Sequence, residues 1–318
     1  MKKSTSDNTI SYGLDIGGTK MEMAIFNSEL KLIDSWRVAT PTDDYQLFLQ
    51  IVAKLVIDAD IKCNNKGSLG IGMPGVIDKH GRIKSANVPC LTGRHIVEDL
   101  KSLLNRELII ANDCRLFALS EANGGAGNQH KRVYGAILGT GAAGGFCING
   151  ELCQGSNNIA GEYGHLGTSA LLLQRYNLPI RPCGCGLQGC YESYIAGPGL
   201  SWLWQFFLGE TATSKNVDTF DFVEQLRANS SIAKKTFTCY MDILGAAFAS
   251  LVLYYDPDVI VVGGGLSQID EVIESLPDAI NKHLFQGVES PQIRRAIFGD
   301  SSGVRGAAIV GRQDVINK

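Results

Sequence analysis

Two stretches of this 318-residue chain repeat one another, and the repeat limits what the chain can fold into. Gly17-Gly18-Thr19-Lys20 joins two strand-like runs, Tyr12–Ile16 and Met21–Phe26, and Asn27-Ser28-Glu29 turns into a third at about Lys31–Val38. Sliding the chain by 122 residues sets Gly17 on Gly139, Asn27 on Asn149, Glu29 on Glu151 and Leu30 on Leu152. There Val133–Leu138 runs into the glycine-rich turn Gly139–Gly145, then Phe146–Ile148 and the turn from Asn149 to Leu152. Shared strand order favours duplication over chance. After the first hairpin, helical spacing at Phe48, Ile51, Val52, Leu55 and Val56 predicts a helix over Tyr45–Asp58. A strand Leu69–Met73 ending at Pro74-Gly75, a helix Ile96–Leu104, a strand Leu108–Ala111 and a helix Leu116–Asn123 follow. Farther on, Val259–Val262 runs into Gly263-Gly264-Gly265 and a helix at about Gln268–His283. The pattern predicts an α/β protein of two duplicated domains around a cleft, with ligands at the carboxyl ends of the strands.

After the second repeat lies a cluster of metal-binding residue types: Gly161-Glu162-Tyr163-Gly164-His165, then Cys183, Cys185 and Cys190 with Glu192 two residues on. One imidazole and three thiolates suit a tetrahedral zinc, and four protein ligands leave no open position for water, so the site is structural. Disulfides or unliganded core thiols are the alternatives; the glycines on both sides of Cys185 supply turns and little apolar surface. Ordering this loop would also place Glu162 and Glu192, whose carboxylates accept hydrogen bonds from sugar hydroxyls.

Composition narrows the partners. Net charge is −3 without blocks of like charge, which argues against nucleic acid and anionic membranes. No apolar run reads as a membrane span, and the polar start Met1–Ser11 lacks a signal-peptide core. Nine cysteines, dispersed apart from the cluster, point to a reducing cytoplasm; Cys63, Cys90, Cys147, Cys153 and Cys239 are most simply structural.

Glycine turns let backbone N–H groups approach an anion, and Thr19 and Lys20 add a hydroxyl and a cation suited to phosphate. Gly263–Gly265 precedes a helix N-terminus, which also favours anions. The competing reading of each turn is a hairpin that needs positive φ. Asp113, just beyond the strand Leu108–Ala111, is placed either as general base toward a substrate hydroxyl or as cap of the helix near Leu116. Asp15, ahead of the first turn, either orients magnesium through water or makes a hairpin hydrogen bond.

Together, Leu14–Lys20, Asn112-Asp113, Gly139-Thr140-Gly141, Gly161–His165, Cys183–Glu192, Gly263–Gly265 and Gly303–Ala308 resemble the ROK family of sugar kinases and repressors. Gly70–Gly75, Ala86–Pro89, Phe117–Ala122 and Leu178–Cys183 are most similar to its bacterial N-acetyl-D-glucosamine kinases. The resemblance implies the actin-like ATPase fold, with domains 1–118 and 119–303, a terminal helix 304–318 returning to the first, and a homodimer. It also implies ATP-dependent phosphorylation of the sugar 6-hydroxyl with Asp113 as base. Gly75, Asn87, Asn112, Glu162, His165 and Glu192 would hold the sugar. Asp15, Gly17, Gly18, Thr19, Lys20, Gly139, Thr140, Gly141 and Gly263–Gly265 would hold ATP and Mg2+, and His165, Cys183, Cys185 and Cys190 the zinc. Other hexoses (glucose, N-acetylmannosamine or fructose) and a weakly catalytic sugar sensor are the alternatives. About eleven residues before the first strand are too few for a helix-turn-helix. Three departures stand out: Cys114-Arg115 where Ala-Asn is usual, Ala143 where glycine is usual, and Leu166-Gly167-Thr168 after the histidine. Arg115 would lower the pKa of Asp113, pair with it or face solvent; Ala143 would be strained if its φ is positive and, if not, would crowd the phosphates with its methyl.

Overall fold

The structure, a computed structural model, describes residues 10–85, 87–209 and 218–316, with no side chains described for 314–316. Residues 1–9 of the polar N-terminus, Ala86 of the motif Ala86–Pro89, and the last two residues of the expected helix 304–318 lie outside this description. Two compact units emerge. One comprises residues 1–120, 152–160 and 300–318, the other 121–151 and 161–299.

In the first unit, β1 (Ser11–Ile16), β2 (Lys20–Phe26) and β3 (Leu32–Ala39) form the antiparallel ribbon read from the sequence. Then come α1 (Tyr45–Cys63), β4 (Ser68–Met73), the small ribbon β5 (Val76–Ile77) and β6 (Ile83–Lys84), α2 (Ile96–Leu104), β7 (Ile109–Asn112) and α3 (Asp113–Ala122). The sheet order is β3-β2-β1-β4-β7, with β4 and β7 parallel to β1. Helix α1 starts where the Asp44 side chain accepts from the Leu47 N–H and stops at Asn64 in the left-handed region. Its Phe48, Val52, Leu55 and Val56 are buried with Leu14, Ile16, Met21 and Met23 of the sheet.

The second unit repeats this plan. Strands β8 (Arg132–Leu138), β9 (Ala142–Ile148) and β10 (Glu151–Leu152) form the ribbon, and α4 (Ala170–Tyr176), α5 (Glu192–Ile195), α6 (Gly197–Leu208), α7 (Thr219–Arg227) and α8 (Ser231–Tyr255) follow. Strand β11 (Val259–Gly263), helix α9 (Asp270–Asn281) and strand β12 (Gln292–Arg295) complete it, in sheet order β10-β9-β8-β11-β12. Strand for strand, the two sheets share one topology, as the internal repeat predicts. By length and composition α8 is apolar enough to cross a membrane, contrary to the expectation that no run is; it is a core helix, with 78% of its most apolar window buried. Glu121 is fully buried, and its carboxylate accepts N–H groups of Ala126 at 2.9 Å, Ile297 at 3.2 Å and Phe298 at 3.1 Å.

The chain then returns to the first unit as α10 (Ser302–Ile316), packed on β1 and β4. Glycine makes that approach possible. A Cβ on Gly13 would sit 1.8 Å from the Val304 carbonyl oxygen, and one on Gly70 1.9 Å from that of Ala307. A Cβ on Gly306 of the helix itself would sit 2.0 Å from the Leu116 oxygen.

Candidate active site

Helix α3 begins three residues earlier than its spacing suggested, so Asp113 opens it instead of capping a helix at Leu116. The Asn112 Oδ1 and Asp113 Oδ1 atoms both accept from the Cys114 N–H, at 3.0 and 2.9 Å. Asn112, ending β7, also donates through Nδ2 to the Gly75 carbonyl at 3.4 Å. Gly75, Asn112 and Asp113 are thus held together by the strand end, the helix start and a turn in which Gly75 has φ +115°. Arg115 is only 4% exposed, so it does not face solvent.

Asp15 lies at the end of β1, its carboxylate seated between two glycines. A Cβ on Gly303 would come within 2.8 Å of Oδ2, and one on Gly72 within 3.1 Å of Oδ1. Burial, then the negative charges of Asp113 and Glu22, push its pKa up from 3.8 to about 7. Because the folded state holds this proton more tightly, stability from this group is greatest below pH ~4. It declines as pH rises toward ~7 and is constant above, with a ceiling of ~4 kcal/mol on the cost. Asp15→Asn is therefore expected to raise the melting temperature at pH 8 and to have little effect near pH 4. An equal shift at both pH values would contradict this account.

The first glycine turn is fixed by Gly17 N–H to Lys20 O (2.9 Å) and by Thr40, whose hydroxyl donates to Gly17 O at 2.8 Å. Gly18 lies against Asn87: an added Cβ would be 3.0 Å from its carbonyl oxygen. Thr19 and Lys20 are exposed.

In the second unit the turn is shorter than expected. Strand β9 starts at Ala142, and Leu138 pairs with Ala142, so Ala143 is a strand residue without positive φ. The strain considered for Ala143 does not arise. Nor do Gly17, Gly18, Gly139 or Gly141 adopt positive φ; in the three turns only Gly264 does, at +82°. The first two turns do join antiparallel strands, so they are hairpins, but without the positive φ expected of them. A Cβ on Gly139 would meet nothing closer than 3.9 Å, and one on Gly265 nothing within 4 Å. Neither backbone conformation nor protein packing demands glycine at these two positions. Both line a cavity of about 750 Å³. Its other walls come from Gly197-Pro198 at the start of α6, from Phe220 and Arg227 of α7, and from Gln268. Sequence reasoning missed those walls; they lie on separated segments, and only Pro198, at the first turn of a helix, carries a local signal.

His165, Cys183, Cys185 and Cys190 come together, their donor atoms all within 4.8 Å of one another. The separations Cys185 Sγ to Cys190 Sγ and Cys183 Sγ to His165 Nδ1 are both 3.7 Å. A tetrahedron of thiolates about 2.3 Å from zinc has edges of about 3.8 Å, so the donor set fits that ion. The loop is closed by backbone pairing of Gly167 with Cys190 and by Thr168 N–H to Gly189 O, which is where Leu166-Gly167-Thr168 acts. The other imidazole nitrogen, Nε2, faces Glu162 Oε2 at 3.8 Å. Glu192 spans two features: Oε1 lies 3.8 Å from Cys183 Sγ, and Oε2 accepts the Ala142 N–H at 2.9 Å. One carboxylate thus joins the cysteine cluster to the second glycine turn. The first unit carries Asp15, Gly17–Lys20, Gly75, Asn87, Asn112 and Asp113; the second carries the remaining candidate residues.

Comparison with known proteins defines the class. The ROK family pattern matches residues 11–314, and the chain belongs to that family. Over 300 residues it is 52% identical to N-acetylgalactosamine kinase AgaK of Shewanella sp. (strain ANA-3), covering 94% of this chain and 96% of that one. It is 40% identical over 302 residues to an N-acetyl-D-glucosamine kinase of Yersinia pseudotuberculosis, covering 94% and 98%. A crystal structure of a ROK hexokinase from Thermus thermophilus superposes with TM-score 0.85 at 29% identity, over 98% of this chain and all of that one. A Streptomyces griseus ROK glucokinase, solved with glucose and AMPPNP, gives TM-score 0.73 at 26% identity, over 96% and 99%. The fold is that of the actin-like ATPases, and the chain is a sugar kinase.

Proposed function

We propose that this kinase phosphorylates the 6-hydroxyl of an N-acetylhexosamine, N-acetylgalactosamine ahead of N-acetylglucosamine. The observation that carries the choice is identity along almost the whole chain, 52% to an N-acetylgalactosamine kinase against 40% to an N-acetylglucosamine kinase. The sequence alone favoured N-acetylglucosamine; the galacto epimer enters only through that relative.

Asp113 takes the proton of the sugar 6-hydroxyl as that oxygen bonds to the γ-phosphorus, the bond from the γ-phosphorus to the β,γ-bridging oxygen breaks, and ADP leaves. Asn112, Gly75, Asn87, Glu162, His165 and Glu192 orient the sugar. Gly17–Lys20, Gly139–Gly141 and Gly263–Gly265 receive the nucleotide, with its adenosine in the 750 Å³ cavity. Asp15 orients Mg2+, which offsets phosphate charge when bound. Since this carboxylate titrates at about 7 without the cation, activity at limiting Mg2+ should fall as pH drops through that value. We place the enzyme in the cytoplasm, where ATP is available, as a homodimer.

An ADP-release assay with ATP and Mg2+ tests the reading on N-acetylgalactosamine, N-acetylglucosamine, glucose, N-acetylmannosamine and fructose. The highest kcat/KM should fall on the galacto sugar; preference for an unacetylated hexose would overturn the proposal.

Zinc on His165, Cys183, Cys185 and Cys190 would supply order instead of chemistry, holding Glu162 through His165 and Glu192 through Cys183. Stripping it with a chelator should lower the melting temperature by several degrees and raise KM for the sugar. One zinc per chain by elemental analysis should accompany full stability. A metal-free protein melting at the same temperature would refute a structural zinc.

A further inference from the structure

Helix α7 forms a wall of the 750 Å³ cavity in the second unit. It contributes Thr219, Phe220, Val223, Glu224 and Arg227, whose spacing sets them along one face of the helix. The helix is held by other contacts. Asp218 caps it, its side chain accepting the N–H groups of Phe220 and Asp221 at 2.9 Å each. Asp221 accepts the indole N–H of Trp204 in α6 at 2.9 Å. The fully buried ring of Phe222 packs edge-on against the same indole, with centroids 5.8 Å apart. At the far end, Arg227 donates from Nε and Nη2 to the two carboxylate oxygens of Glu271 in α9, at 2.7 and 3.1 Å. Phe220 lies about 200° round the helix from Phe222, on the cavity side. It is 86% exposed, the highest value for a large apolar side chain among the described residues.

We propose that Phe220 is a positioning residue for the phosphoryl donor, stacking its ring on the base of the nucleotide. This rests on the reading of the chain as an ATP-dependent kinase with the adenosine in this cavity. The surroundings favour a flat ligand held by its face. Val223, Leu266 and Ile269 are apolar neighbours in the lining. Three of the polar side chains there are already engaged by the protein. The Thr219 hydroxyl lies 3.2 Å from that of Ser201, Gln268 donates to the Ser267 hydroxyl at 3.2 Å, and Arg227 pairs with Glu271. Stacking is thus the larger part of what this wall offers a base, and an aromatic ring can stack on any base because each has a π-face. The contact also takes the phenyl ring out of water, which is favourable in itself. The base is remote from the transferred phosphoryl group, so the contact is made equally in the ground state and the transition state. Its effect therefore falls on KM for ATP.

The test is calorimetric binding of ADP and of inorganic tripolyphosphate to the whole protein in the presence of Mg2+, together with KM and kcat for ATP. Phe220→Ala should weaken ADP by about tenfold and leave tripolyphosphate, which has no base, within about twofold. KM for ATP should rise by the same factor as the Kd of ADP, with the loss in KM and not in kcat. Phe220→Leu keeps apolar bulk without a π-face and should recover only part of the affinity, whereas Phe220→Tyr should recover most of it. In Phe220→Trp, fluorescence should respond to ADP beyond the wild-type response and show no such excess with tripolyphosphate. Because the side chain is 86% exposed, the unliganded variants should melt with the wild type. Unchanged ADP binding in Phe220→Ala overturns the proposal, and so does a loss that extends equally to tripolyphosphate. A wild type that binds tripolyphosphate and not ADP overturns the ATP reading along with the proposal. Wild-type ADP binding that Phe220→Ala does not alter overturns the proposal alone.

Discussion

Asp113→Asn is expected to lower kcat by about 10²–10⁴-fold or more while leaving sugar affinity within a few fold. The amide preserves the shape of the side chain and can still accept from the Cys114 N–H, as the carboxylate does at 2.9 Å, so the start of α3 should be undisturbed. What is lost is the ability to take a proton from the attacking hydroxyl. Phosphoryl transfer depends mainly on positioning and charge stabilisation, so residual turnover above background is expected. Rapid-quench kinetics with saturating sugar, together with calorimetric sugar binding, separates the two effects. Full activity in this variant would remove Asp113 from the mechanism. A loss confined to KM would make it a binding residue only.

The second large effect concerns stability. Gly70→Ala places a methyl 1.9 Å from the Ala307 carbonyl oxygen and 2.9 Å from the Gly311 nitrogen, both backbone atoms of α10. No rotamer relieves such an overlap, and the helix must move off the sheet. Overpacking a core typically costs about 1–3 kcal/mol, and a backbone collision of this depth should lie at or above the upper end. The expectation is a denaturant midpoint lowered by about 3 kcal/mol equivalent, or a protein that fails to accumulate in soluble form. A melting curve coincident with wild type would show that α10 does not dock as described.

Much of this was legible in the chain before the structure. The glycine-turned ribbons were, because alternation and turn residues are local signals and the second copy corroborated the first. The grouping of His165 with three cysteines was legible because few other arrangements explain that residue set at that spacing. Legibility failed where the cause is not local. From Cys239 to Val252 helix α8 is buried on nearly every face, so that stretch shows no amphipathic stripe to read. Strand β12, Gln292–Arg295, is a short polar edge held in place by its pairing with β11. Positive φ was a reasonable explanation for the turn glycines, yet it applies only to Gly264 among them. Gly139 and Gly265 instead face open space within a cavity, which needs coordinates to see. Arg115 was noticed only as a departure; its burial and its place on a cavity wall required the fold.

The return of α10 to the first sheet also sets an order of events during synthesis. Residues 1–120 leave the ribosome early, but the helix that covers β1 and β4 begins at Ser302. At about 5–20 residues per second, roughly 180 further residues impose a delay on the order of ten to forty seconds. Throughout that interval one face of the first sheet has no native cover, while the second unit can fold behind it. A nascent chain arrested before Ser302 should therefore bind hydrophobic-surface dyes and be cut by protease within the first unit, and one extended past residue 316 should resist both.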